Sequence, residues 1–122
     1  MMQENGDNRD TIQRLALHEL RDRVDGDEEL MREVLAIYLE DTPTLLDALR
    51  QALETKQAEA VSKAAHTLKG SSANIAAERL RSQAYQLEQQ ARAGDLNRAT
   101  ALFETIQSEF QELEKIVNRY LA

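Results

Sequence analysis

His66 is flanked three residues before and after by Lys63 and Lys69, and Gly70 follows one helical turn later. At about 100° per residue, Val61, Ala64, Ala65, Leu68, Ser72 and Ile75 fall in one apolar sector of a helix, and His66 lies roughly 150° from its centre. The imidazole therefore faces outward, beside Ser62, Lys63 and Ala73. Gly70 sits near the same outward direction, where a helical glycine costs about 1 kcal/mol relative to alanine and cannot be explained by close packing in the core. Its missing side chain leaves the imidazole open to an approaching macromolecule. From Ala60 through Ala77 there is no Asp or Glu, although the chain as a whole has a net charge of −7. An exposed histidine on a mildly basic face points to chemistry with an anion.

The elements that must hold this histidine can be read from hydrophobic period and helix punctuation. With 122 residues, one proline, four glycines and few aromatics, the chain fits a single all-α domain able to bury a continuous core. Residues 1–10 form a polar leader expected to be disordered, and residues 11–122 the helical domain. A short helix is expected from about Thr11 to Val24, closed by Gly26 in the left-handed C′ position, with Asp27 capping the next. The second segment starts near Glu28. Leu30, Val34, Ile37, Tyr38, Leu45, Leu49 and Ala52 keep one helical phase through Pro43, as either one kinked helix or two helices. Leu35, Leu39, Leu46 and Leu53 widen this stripe.

The histidine helix spans about Ala58 to Ala73, and Asn74-Ile75-Ala76 turns the chain into a helix from Ala77 to about Ala93 with Leu80, Ala84, Leu87 and Ala91 inward. Gly94 stops that helix and Asp95 caps the last, whose period runs from Leu96 through Phe103, Ile106, Phe110, Leu113 and Val117 to Leu121. Short connections between long amphipathic helices predict an antiparallel up-and-down four-helix bundle with an additional short N-terminal helix across it.

Several chemistries are disfavoured by the same residues. An acidic chain without a dense basic patch is a poor partner for nucleic acid. Cysteine is absent, so there is no disulfide framework or thiolate metal site, and a reducing compartment fits. No secretory signal and no run of about 18 apolar residues is present, so membrane insertion is not expected. The second histidine, His18, lies far away on the short first helix and reads as structural or idle, which leaves His66 without a metal-ligand partner at helical spacing. Ser72 points into the core, and neither a nucleophile elbow nor a phosphate-cradling glycine loop occurs. Two function classes remain: an anion chemistry at His66, or a non-catalytic helical adaptor bundle with an idle histidine.

The run His66-Thr67-Leu68-Lys69-Gly70-Ser71-Ser72-Ala73-Asn74-Ile75 resembles the His-x-x-Lys-Gly phosphoacceptor motif of histidine-containing phosphotransfer (HPt) domains. Gly26-Asp27-Glu28-Glu29-Leu30, Tyr38 through Leu46, and Ala91-Arg92-Ala93-Gly94-Asp95-Leu96 resemble the family's punctuation in the usual order. The resemblance implies a phosphocarrier in a two-component phosphorelay, in which His66 accepts a phosphoryl group through Nε2 from a receiver-domain aspartate and passes it to another receiver. Lys69 would attract the phosphoryl oxygens, Lys63 would be a weaker electrostatic contributor, and Gly70 would give steric access. The domain would have no autokinase activity and no cofactor of its own, with Mg²⁺ on the partner receiver. Its partners would be response-regulator receiver domains and a hybrid sensor kinase. It would be a cytoplasmic monomer or the cytoplasmic domain of a membrane-anchored hybrid kinase.

Apolar surface for receiver docking is expected from the broad stripe around Leu35, Leu39 and Leu46, although most of these leucines should be buried. Three positions depart from the family pattern. Ala76 stands where many members have glycine, Lys56-Gln57 replaces a common Gly-Asp turn, and Glu88 stands where some members place a glutamine near the histidine. Glu88 is either a solvated residue at the edge of its helix stripe or an acceptor for the neutral imidazole's N–H, which would fix the tautomer. A carboxylate there would not welcome a phosphoryl group.

Overall fold

Asp27 and Asp95 each accept a backbone N–H three residues on, from Leu30 at 3.0 Å and Arg98 at 3.3 Å, and so start the two longest helices. Such caps satisfy donors that a helix N-terminus leaves open. The computed structural model describes residues 11–122; the polar leader expected at residues 1–10 lies outside the described residues. After a helical turn at residues 11–14, the helices are α1 (Leu17–Arg23), α2 (Glu28–Glu54), α3 (Ala58–Asn74), α4 (Glu78–Arg92) and α5 (Leu96–Leu121). Helices α2 to α5 pack in sequence order, and α5 returns against α2, which closes an up-and-down four-helix bundle. No helix among the described residues is long and apolar enough to cross a membrane.

Four helix ends share one closing geometry. After α1, the Gly26 N–H donates to the Arg21 carbonyl and the Asp25 N–H to that of Asp22, the paired bonds of a Schellman motif. The left-handed C′ residue is Asp25, at φ 54°, and Gly26 follows it at φ 76°, so the C′ position falls one residue earlier than expected. Lys56, Ala76 and Gly94 take the same role after α2, α3 and α4, at φ 54°, 62° and 77°. The turns at Lys56 and Ala76, where no glycine stands, thus keep a left-handed backbone, at a steric cost of about 1–2 kcal/mol for each side chain.

The first helix is not continuous from Thr11. It is interrupted at Leu15 and Ala16, both buried, where the Ala16 N–H donates to the Ala76 carbonyl at 3.1 Å instead of to its own helix. Arg23 adds a bond from Nη1 to the Ala73 carbonyl at 2.6 Å. The N-terminal segment is thereby fastened over the end of α3 and its turn.

Helix α2 runs unbroken through Pro43, which removes one backbone donor while its ring lies on the exposed side. One turn of α2 is reinforced by Thr42, whose hydroxyl donates to the Tyr38 carbonyl at 2.6 Å. The inward face of α2 differs from the expected one. Met31, Leu35, Tyr38, Thr42, Leu46, Leu49 and Leu53 are buried, whereas Leu30 is 41% and Ile37 50% exposed. The apolar band is wide enough for two placements, and packing against α3 and α5 selects the sector containing Leu35 and Leu46. These two therefore offer no docking surface, and Leu39 is half-buried.

Behind the histidine, α3 is anchored by Val61, Ala65 and Leu68, all fully buried. Ser72 also points inward, with its Oγ 2.9 Å from the Tyr38 hydroxyl. Burial pushes that phenol up to about 12, so it remains a neutral tether between α2 and α3. One rigid helix face is thus held outward.

Candidate functional site

The outward face of α3 carries His66, Lys63 and Gly70 as its helical phase requires. The His66 side chain is 65% exposed. A Cβ placed on Gly70 would meet nothing within 4 Å, so the space one turn beyond the imidazole is open. Lys63 projects into solvent and pairs weakly with Glu59 at 3.8 Å. His18 is exposed on α1, and among the described residues no group of three His, Cys, Asp or Glu side chains could hold a metal ion.

After Glu59 in its first turn, α3 carries no further acid, but the face is not acid-free in space. Helix α4 brings Glu88 against it, and that carboxylate is 1% exposed rather than solvated. Its Oε2 lies 2.9 Å from His66 Nδ1, its Oε1 accepts from Lys69 Nζ at 2.8 Å, and Oε2 also accepts from Arg92 Nη2 at 3.0 Å. The Lys69 ammonium, first, holds the Glu88 carboxyl below the usual carboxylate range against the opposing cost of burial; the His66 bond and the charge of Arg92 act in the same direction. Lys69 is itself mostly covered and lies over the Tyr85 ring, 5.3 Å from its centroid.

This arrangement selects a tautomer. An ionised carboxylate can only accept, so the neutral imidazole places its proton on Nδ1 and leaves the Nε2 lone pair free. The site therefore presents an unprotonated ring nitrogen to solvent, held in orientation from behind. Its near surroundings form a shallow depression lined by Ser62, Lys63, His66, Thr67, Glu88 and Arg92.

The structure thus brings His66, Lys69 and Glu88 into one network and leaves Lys63 and Gly70 at its rim. Sequence reasoning did not single out Arg92 and Tyr85. Both stand one turn from Glu88, at i+4 and i−3, so helical spacing could have found them once α4 was known to face the histidine. A second feature beside the site is a groove of about 570 Å³ between α2 and α3, lined in part by Val34, Ile37, Leu45 and Ala48, with Thr67 and Ser71 on its histidine side.

Comparison with known proteins places these residues in context. The model of the Hpt domain family matches residues 33–116, which include every residue of the network. The chain is 28% identical over 108 residues to histidine-containing phosphotransfer protein 4 of Arabidopsis thaliana, covering 87% of this chain and 84% of that protein. It is also similar to the crystal structure of histidine-containing phosphotransfer protein B (HptB) from Pseudomonas aeruginosa PAO1, with a TM-score of 0.83 and 30% identity over 88% of this chain and 94% of the other.

Proposed function

The chain belongs to the Hpt domain family and is a phosphocarrier of phosphorelays, and from that premise we propose that His66 is the residue that carries the group, through Nε2. The observation that supports this most strongly is the Nδ1–Glu88 bond, which leaves Nε2 unprotonated at the exposed edge of the ring. An idle surface histidine has no need of a carboxylate buried behind it.

In the proposed step, the Nε2 lone pair attacks the phosphorus of a receiver's aspartyl phosphate. An N–P bond forms, the P–O bond to the aspartate breaks, and the aspartate leaves as a carboxylate. No proton has to leave Nε2. The ring gains positive charge while it keeps its Nδ1 proton, and Glu88 stabilises that charge across the hydrogen bond, as an acidic partner does for an activated histidine. The reverse step returns the group to a second receiver. Phosphoryl transfer depends chiefly on positioning and charge stabilisation. Lys69 supplies a cation close to the ring, Lys63 a more screened one, and Gly70 leaves room for the receiver's loops.

Receiver domains and kinases of phosphorelays are the partners of this family. In this reading the immediate donor is a hybrid sensor kinase's receiver, Mg²⁺ sits in the receiver's acidic pocket, and the domain acts as a cytoplasmic monomer that does not phosphorylate itself. The receiver rests on the α2–α3 groove, where Ile37, Val34 and Leu45 offer apolar surface continuous with the His66 face. The test is incubation with a ³²P-labelled receiver and Mg²⁺. Acid-labile, alkali-stable label on the wild type and none on His66→Gln is expected; equal labelling of both would overturn the assignment.

A further inference from the structure

Helix α2 carries more apolar surface than the bundle uses. Its inner sector is buried, yet a second sector with Val34, Ile37 and Leu45 stays at the surface and lines the α2–α3 groove. Asp41 sits on this outer sector, one turn after Ile37 and one before Leu45, and it is the single charged residue among those lining the groove. It is exposed and has no ion-pair or hydrogen-bond partner among the described residues. Cations of the neighbouring elements are committed elsewhere. Arg23 donates to the Ala73 and Asn74 carbonyls, Arg32 reaches the end of α5, and Arg50 pairs with Asp47.

The surface around His66 is therefore bipolar. Lys63, Lys69 and Arg92 stand on the α4 side of the imidazole, while Thr67 and Ser71 begin the groove on the other side and Asp41 stands at its α2 wall. A receiver seated with its acidic pocket over His66 fills the groove with apolar side chains and takes water away from Asp41. A carboxylate that loses water without gaining a counter-charge opposes binding strongly, and an unpaired charge of this kind rejects wrong partners. We propose, on the reading that receivers dock here to reach His66, that Asp41 is a specificity-determining residue: it admits receivers that bring a Lys or Arg to the α2 wall of the groove and rejects those that place an apolar or acidic residue there. It touches no reacting atom. Arginine is the better match, since its planar fork can bind a carboxylate through two parallel bonds.

The test is transfer kinetics from a panel of ³²P-labelled receiver domains with Mg²⁺, measured on wild type, Asp41→Asn and Asp41→Lys. With the receiver that labels the wild type fastest, Asp41→Asn is expected to raise KM about fivefold and Asp41→Lys about fiftyfold, while kcat stays within about twofold, because the charge acts on docking and not on the chemical step. The rise of KM with added salt should be shallower for Asp41→Asn than for wild type. Among the receivers that label the wild type poorly, those with an acid at the contact should label Asp41→Lys faster. The chain has no cysteine, so a nitroxide on Asp41→Cys marks this one point, and in the complex it should broaden receiver amides centred on a Lys or Arg.

An unchanged KM of Asp41→Lys for every receiver overturns the proposal, and so does a loss confined to kcat. Broadening centred on an apolar or acidic patch of the receiver contradicts it as well. Both variants should melt close to wild type, since the residue is exposed and unpaired; a large fall would assign Asp41 to the fold instead. Sedimentation of the wild type as a dimer that Asp41→Lys dissociates, with KM unmoved, would put a second copy of the chain in the groove and overturn the receiver as its occupant. His66→Gln separates this proposal from the reading it rests on. If that variant still takes up label, the His66 assignment fails and the docking geometry falls with it; if label is lost but KM is indifferent to residue 41, the assignment stands and Asp41 has no such role.

Discussion

Glu88 and Glu109 are both buried carboxylates on the inner side of a bundle helix, 1% and 6% exposed, and both are held by two cations. Glu109 on α5 lies 3.2 Å from Arg14 Nε and 3.6 Å from Arg79 Nη1, and Arg79 also donates to the Gln13 side chain at 2.7 Å. Its partners are permanent cations, largely covered, and they come from the N-terminal turn and the start of α4. The pair clasps the N-terminal segment to the bundle. Glu88 differs in its third partner, a neutral ring that is mostly in solvent. Burial of a carboxylate is thus no sign of function by itself; what matters is whether the group it orients is reactive and reachable.

The contrast can be broken by moving from the clasp to the site. Glu109→Ala is expected to destabilise the fold by about 3 kcal/mol in urea titration, the low end for breaking a buried ion pair because both arginines keep some contact with water, while the folded variant labels at nearly the wild-type rate. A tenfold loss of labelling in folded protein would erase the distinction. Lys69→Ala should do the opposite, slowing labelling about tenfold with only a small change in melting temperature; a large loss of stability would show that Lys69 belongs with the clasp. Gly70→Ala should raise stability by about 0.5–1 kcal/mol, since an exposed helical glycine with open space around it gains helix propensity. Gly70→Trp should keep helicity in circular dichroism yet slow transfer, and an unchanged rate would remove the open-face role.

The carboxyl of Glu88 supplies a pH test whose sign is fixed by its lowered pKa. Its contribution to stability is present above the unfolded carboxyl pKa of about 4.3 and is lost as pH falls through the depressed folded value. Glu88→Gln should therefore flatten the acid limb of the stability curve below about pH 4.3, and superimposable acid limbs would contradict the network. Most local is Lys56→Gly, which relieves a left-handed side chain and should add about 1 kcal/mol without touching transfer.

How much of this was legible in the chain follows from the range of each signal. The outward setting of His66 and Gly70 is local, because a helical period of 3.6 residues fixes it once the apolar sector is known. Helix punctuation at Asp27, Gly94 and Asp95 is equally local. The break at Leu15-Ala16 is not, since it depends on a carbonyl 60 residues away, at Ala76. The inward sector of α2 was ambiguous because its apolar band is wider than its contacts. Glu88 lay between two readings for the same reason: its own helix could not say which residues of α3 stand opposite. Only cross-helix register joins His66, Lys69 and Arg92 on one carboxylate.

The most direct test of the central claim is long-range ¹H–¹⁵N correlation of the His66 imidazole, recorded before and after phosphorylation by a receiver. The account predicts the Nδ1–H tautomer in the free protein and, after transfer, coupling of ³¹P to Nε2 with the Nδ1 proton retained. An Nε2–H tautomer in the free protein, or phosphorus on Nδ1, would contradict it.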